Sequence, residues 1–227
     1  IHSLEDGYFR NKFDQDIKGF KGNSGIGVIS DHEAQPILVT SHLGRFAVAT
    51  VCKIQNIDEL EESFMQRRRT FAETSQGSVN PTELVAMLIA DCDDFVSGIN
   101  NVFDKIKGSC SLLILTDDRI IAARDKLGRT PIILGKKEDA HAVTFETSAF
   151  PNLDYEIEHY LGPGEIMELT ADGYHQLQKP GDKMQVCSFL WVYYGYPPSF
   201  YEGINVDDSR YKCGAALARC EKIKADF

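Results

Sequence analysis

The chain has 227 residues, of which 24 are Lys or Arg and 34 are Asp or Glu, giving a formal net charge of −10. Such an acidic balance disfavours nucleic acid and anionic membranes as partners, and no apolar run approaches the ~18 residues of a membrane-spanning helix. A chain of this length makes one large domain, or a domain plus a connector. It buries roughly 70–75% of its unfolded surface without a metal or disulfide staple.

In chain order, residues 11–20 suggest a short helix, and 25–30, 36–40 and 46–51 read as short strands. Residues 57–68 form an amphipathic pattern with Leu60 and Phe64 one turn apart, closed by Arg67-Arg68-Arg69, cations that suit a helix C-terminus. The strongest helix signal starts at Asn80. Asn80 is a good N-cap, Pro81 suits the first helical position, and Glu83 completes a capping box. Leu84, Val85, Leu88, Ile89, Cys92, Phe95 and Val96 then recur at helical spacing. A second helix is predicted over 99–107, ended by Gly108.

Strands follow at 111–115, 120–124, 131–134 and 142–146. The turns at 116–119 and 126–129 imply antiparallel hairpins. Residues 111–115 and 132–134 are apolar at successive positions, as in strands covered on both faces. Such a sheet beside amphipathic helices predicts helix–sheet–sheet–helix layers. A hairpin over 165–169 and 174–177, an aromatic strand over 189–194 and a last helix through Cys220, capped by Asp207 or Asp208, complete the reading.

Few motifs carry chemistry by themselves. Gly25-Ile26-Gly27 lacks the third glycine and following helix of a phosphate loop. Six histidines offer no HxxxH pair, and Cys52, Cys92, Cys110, Cys187, Cys213 and Cys220 form no CxxC pair or Cys/His cluster. Neither a zinc site nor a secreted disulfide framework is expected; the cysteines read as free thiols of a reducing cytoplasm. Arg124-Asp125 and Arg129 make the densest polar group between apolar strands. Charges there require partners, so the favoured reading is structural, with Asp125 held by Arg124 or Arg129; a ligand-binding loop is the alternative. The chain opens at Ile1 and closes at Phe227, which reads as a piece of a longer protein.

Six segments stand in a telling order: 22–27 (GNSGIG), 33–36 (EAQP), 122–131 (AARDKLGRTP), 162–165 (GPGE), 187–194 (CSFLWVYY) and 197–203 (PPSFYEG). Together they resemble the glutaminase half of the glutamine phosphoribosylpyrophosphate amidotransferases, over Gly22 to about Leu217. The resemblance implies an α+β fold: an N-terminal-nucleophile (Ntn) hydrolase-like, four-layer αββα sandwich of two antiparallel sheets. It implies a glutamine amidotransferase-like domain over 1–206, with its first strand missing, and a helix over 207–227 leading toward a phosphoribosyltransferase domain. No metal, cofactor, nucleic-acid or membrane partner is expected, and a homo-oligomer is left open.

In that family the nucleophile is an N-terminal cysteine whose own α-amine acts as base, and Ile1 falls downstream of its place. The family's carboxylate-gripping arginine corresponds to a place near Ser30. Its Asn-Gly oxyanion pair corresponds to Val51 and Cys52, and its amine-holding aspartate to Pro81. Each replacement removes the needed group: Ser30 makes no bidentate ion pair, Val51 has no side-chain donor, and Pro81 has neither carboxylate nor N–H. Cys52, with no adjacent histidine, reads as a structural thiol rather than a substitute nucleophile. Three functions follow as expectations. The first is a glutaminase-like domain that has lost its own chemistry and serves as a scaffold. The second is a working amidotransferase with its nucleophile upstream. The third is a binding module that reuses the fold.

Overall fold

The computed structural model describes residues 17–30, 33–75 and 77–223. β1 (Ile37–Ser41) and β2 (Gly44–Ile54) make a first hairpin, followed by α1 (Ile57–Gln66). A short ribbon, β3 (Thr74–Ser75) and β4 (Ser78–Val79), leads into α2 (Pro81–Ala90) and α3 (Phe95–Lys105). Then come β5 (Gly108–Leu115), β6 (Ile120–Ala123), β7 (Ile133–Lys137), β8 (Ala140–Thr144) and β9 (Glu156–Tyr160). β10 (Ile166–Thr170), β11 (Gly173–Gln178), a π-helical turn (Leu190–Tyr194), β12 (Phe200–Tyr201), β13 (Ile204–Asn205) and α4 (Val206–Cys220) finish the order.

Six strands form one antiparallel sheet, ordered β1-β2-β5-β6-β10-β11, and three form a second, ordered β8-β7-β9. Side-chain alternation divides the core. Cys110, Leu112 and Ile114 of β5, with Ile121 and Ala123 of β6, pack with the buried residues of α2 and α3. Leu113, Ile120, Ala122, Met167 and Leu169 face the other way, onto Ile132, Leu134 and Leu161 of the second sheet region. The central strands are therefore apolar at successive positions because both their faces are covered. The outer face of the second sheet carries the short turns Thr147–Ala149 and Pro151–Leu153, with Phe150 between them seated on Gly135.

Helix α2 begins as its sequence predicts. Asn80 Oδ1 accepts from the N–H groups of Thr82 and Glu83, and Pro81 takes the first position. Glu83 does not close a capping box; its carboxylate accepts from Ala72 N and Glu73 N at 2.8 and 2.9 Å. The apolar periodicity is split between two helices. α2 ends at Ala90, and Asp94 caps α3 by accepting from Ser97 N. Acidic residues at 91, 93 and 94 suit a helix start and not a helix end, which sets the break there. Gly98 lets the two helices touch, since a Cβ there would meet the Ile89 backbone. α3 stops at Lys105, two residues short of expectation. Gly108 serves β5 instead: at φ 149°, a Cβ on it would strike the Lys53 carbonyl.

Five other expectations are corrected. Residues 25–30 join no strand ladder, and a strand exists only by its ladder. Of the expected helix over 11–20, residues 11–16 lie outside the described residues, and only the turn Ile17–Gly19 is formed. The 126–129 turn closes no hairpin: it carries the chain from β6 in the first sheet to β7 in the second. Residues 189–194 coil as a π turn, with Gly195 N bonded to Leu190 O. Leu190 is buried there with Tyr201 and Val206, so local packing overrides the strand preference of aromatic residues. The last helix is capped by Asn205, not Asp207 or Asp208.

Candidate functional site

Of the four positions singled out in the sequence, Ser30 and Cys52 belong to one connected chain of hydrogen bonds, and Val51 and Pro81 lie beside it. Ser30 is exposed, and its hydroxyl accepts from Glu33 N at 3.3 Å. Glu33 Oε1 accepts from Gln35 Nε2 at 2.9 Å, and Gln35 Oε1 accepts from Thr50 N at 2.8 Å. Thr50 is buried on β2, and its hydroxyl meets that of Thr82 at 2.7 Å. Thr82 N donates to Asn80 Oδ1 at 2.8 Å, and Asn80 Nδ2 donates back to Ala34 O at 2.9 Å. Pro81 stands inside this loop of contacts, at the N-terminus of α2.

The ladder places Val51 opposite Ser111 and Cys52 opposite Cys110. Val51 is 41% exposed and turns an isopropyl group outward. Cys52 is half-buried; the Thr50 hydroxyl donates to its Sγ at 3.4 Å. Thr50 has one hydroxyl proton, so with that proton on sulfur Thr82 is the donor between the two threonines. The facing Cys110 thiol, with the Thr50 hydroxyl, holds the Cys52 thiol below its ordinary pKa despite burial. The same pairing of thiols, with full burial, pushes Cys110 well above its ordinary value.

What this arrangement offers a substrate is limited. The side chains named here around these positions are glutamate, glutamine, threonine, asparagine and cysteine, and the bonds above engage each of them within the fold. Among the described residues, no arginine takes part in the contacts named above. Among the described residues, no group of three or more His, Cys, Asp and Glu could hold a metal ion. Sequence reasoning did not identify Gln35, Thr50, Thr82 or Cys110 as parts of this site. Thr50 and Thr82 carried a signal: each is a polar residue at a core-facing position of a segment otherwise read as apolar.

The Arg124–Asp125 group lies on the other side of β5 and confirms the structural reading with different partners. Asp125, 3% exposed, accepts from three backbone N–H groups: Cys110 at 3.2 Å, Leu127 at 3.0 Å and Arg129 at 3.0 Å. Arg124, fully buried, bonds the carbonyls of Leu161 and Gly128 and pairs with Glu202. Asp125 is thus held by backbone rather than by either arginine. A cavity of about 210 Å³ opens between α3 and this loop, lined by Phe103, Ile106, Gly108, Cys110, Asp125 and Arg129 among others.

This fold and this order of motifs define the chain as a member of the glutamine amidotransferase domain family, whose model matches residues 24–152, more than half of the chain. Among proteins, it is similar to the amidophosphoribosyltransferase of Archaeoglobus fulgidus, at 28% identity over 94% of this chain and 49% of that one. The amidophosphoribosyltransferase of Bacillus subtilis is 29% identical over 93% of this chain and 46% of that one. The solved glutamine phosphoribosylpyrophosphate amidotransferase of B. subtilis, complexed with ADP and GMP, superposes with a TM-score of 0.76 at 27% identity, over 86% of this chain and 42% of that one. The fold is therefore the Ntn-type glutamine domain of those enzymes, an α+β sandwich of antiparallel sheets. The chain spans about half the length of the curated relatives it matches. Among the described residues, no helix is long and apolar enough to cross a membrane.

Proposed function

We propose that this chain is the glutaminase-like domain of a longer amidophosphoribosyltransferase-type protein of purine synthesis, and that it has lost its own glutamine hydrolysis. Its role is then that of a scaffold for a phosphoribosyltransferase domain, which takes free ammonia and phosphoribosyl pyrophosphate to phosphoribosylamine. The length of the relatives supports the partner domain. The exposure of Tyr211 (78%) and Leu217 (73%) along α4 supports reading residues 207–227 as a connector rather than core.

The observation that carries the loss is the hydrogen-bond chain from Ser30 to Asn80. An α-amino acid substrate needs a cation for its carboxylate, an acid for its amine and a donor for the developing oxyanion. Ser30, Pro81 and Val51 supply none of these; the acid beside them, Glu33, accepts from Gln35, and the neighbouring amides and hydroxyls are engaged within the fold. One missing oxyanion donor costs ~10²–10³ in rate, and lost substrate clamps add positioning penalties.

The test is carried out on the whole protein, measuring glutamate release from glutamine and phosphoribosylamine formation from either nitrogen source. The expected outcome is product from ammonia and background glutamate release from glutamine. Glutamine turnover in the ordinary enzyme range of ~1–10³ s⁻¹ would overturn the proposal and favour the working amidotransferase with an upstream nucleophile.

A further inference from the structure

Two free thiols face each other across the middle of the main sheet, and the hydrogen-bond phase of the ladder fixes how they meet. Cys52 on β2 is the register partner of Cys110 on β5. One step beyond the Ile54↔Gly108 pair, Gln55 N donates to Lys107 O at 2.8 Å. Hydrogen-bonded and non-hydrogen-bonded pairs alternate along an antiparallel ladder. Counting back from 55/107, the pair 52/110 is non-hydrogen-bonded. Two independent bonds agree: Cys110 N turns away from β2 to Asp125 Oδ1, and Thr50 N, in the same phase as Cys52, turns away from β5 to Gln35 Oε1. Non-hydrogen-bonded partners have Cα atoms ~4.5 Å apart and the closer side chains of the two pair types. That spacing lies within the Cα range of about 4.4–6.8 Å that a disulfide spans.

From this juxtaposition we propose that Cys52 and Cys110 form an oxidant-responsive modification site, in which hydrogen peroxide converts the facing thiols reversibly into one cross-strand disulfide. The two residues are unequal in the way such chemistry requires. Cys52 is the more exposed, its sulfur accepts from the Thr50 hydroxyl, and the facing Cys110 thiol further favours its thiolate. Cys110 is 2% exposed, lines the cavity beside the Asp125 loop and keeps its proton. The Cys52 thiolate attacks peroxide; an S–O bond forms, the O–O bond breaks, and hydroxide leaves with Cys52 as a sulfenic acid. Hydroxide takes the Cys110 proton. The Cys110 sulfur then attacks the Cys52 sulfur, an S–S bond forms, and the S–OH bond breaks. In total, two thiols and one peroxide give one disulfide and two waters. Bridging would tie the replaced oxyanion position to the neighbouring strand. A thiol reductant reverses the bridge by exchange.

The experiment reads thiol mass on the full-length wild-type protein. Reduced protein is exposed to hydrogen peroxide, quenched with a maleimide, digested without reductant and analysed by mass spectrometry. The expected result is one cross-linked peptide pair joining Cys52 to Cys110, lighter by two hydrogens and restored by dithiothreitol. In Cys110→Ala, Cys52 accumulates as a sulfenic acid that dimedone traps. Recovery of both cysteines as maleimide adducts from oxidised wild-type protein overturns the proposal. So does a Cys52 bridge to any other cysteine, or a Cys52 sulfinic acid beside intact Cys110. Because the decisive readout is on wild-type protein, a variant that fails to fold does not affect it. It also stands apart from glutamine turnover, so this proposal and the loss of glutaminase chemistry fail separately.

Discussion

Two polar regions flank β5, and they differ in what their residues hold. On one side, the 124–131 loop keeps the motif that carries the family resemblance. Its charged side chains bond the backbone: Asp125 gathers N–H groups from three residues, and Arg124 binds two carbonyls from separate segments. On the other side, β2 and the start of α2 hold Val51, Cys52 and Pro81, the positions proposed above to have lost glutamine chemistry. Val51 and Pro81 contribute no side-chain hydrogen bond to the fold, since neither has a polar side-chain atom. A residue that satisfies buried backbone cannot leave without exposing those groups to an unpaired state. A residue that contacts only a substrate can leave once the substrate no longer matters. The 124–131 motif is held by such structural bonds, and its presence says nothing about catalysis.

The sharpest way to break this comparison is to remove the Asp125 carboxylate. Asp125→Ala strands three backbone donors in a buried site, and urea denaturation is expected to show a loss on the order of 3–5 kcal/mol. Asp125→Asn retains one acceptor oxygen and should lose roughly half as much. A loss under about 1 kcal/mol for Asp125→Ala would mean that the loop is not the structural member of the pair.

Within the other region, the residues that hold the chain of hydrogen bonds should also matter, though less. Asn80→Ala removes the cap of α2 and is expected to cost about 1–2 kcal/mol by the same measurement. Thr50→Val and Thr82→Val each leave one buried hydroxyl without its partner and should cost about 1 kcal/mol apiece. The double variant should cost less than their sum, with a coupling of roughly 0.5–1 kcal/mol. Additive losses would show that the two hydroxyls do not act as a pair.

These residues also mark how far the sequence could be read. Asn80 and Pro81 announced the start of α2, because a helix start is local chemistry: one acceptor and one fixed φ. The doubly covered central strands were equally legible, from apolar residues at successive positions. Glu83 was legible as a helix-start acid but not in its partners, since Ala72 and Glu73 reach it only through the fold. The same holds for Asn205, whose N-cap role was hidden by two following aspartates that also suit a helix start. Residues 25–30 have strand composition but no partner strand in the sheets. Facing cysteines were out of reach because a register, and not a motif, puts Cys52 opposite Cys110.

The smallest expected effect tests the comparison from the opposite side. Pro81→Asp loses the entropic benefit of proline in the unfolded chain, about 0.4–1 kcal/mol. It gains an acid at the positive end of α2, worth about 0.3–1 kcal/mol, and the N–H it restores is one that the helix leaves unpaired in any case. The two terms oppose, so the net change should stay within about 0.5 kcal/mol. Val51→Asn exchanges a partly exposed β-branched side chain for a polar one and should cost no more than about 1 kcal/mol. Both values come from the same denaturation midpoints used for Asp125. If either variant instead unfolds as readily as Asp125→Ala, its side chain is a fold-holding group. The division between a loop kept for structure and positions proposed to be released from function then fails at that residue.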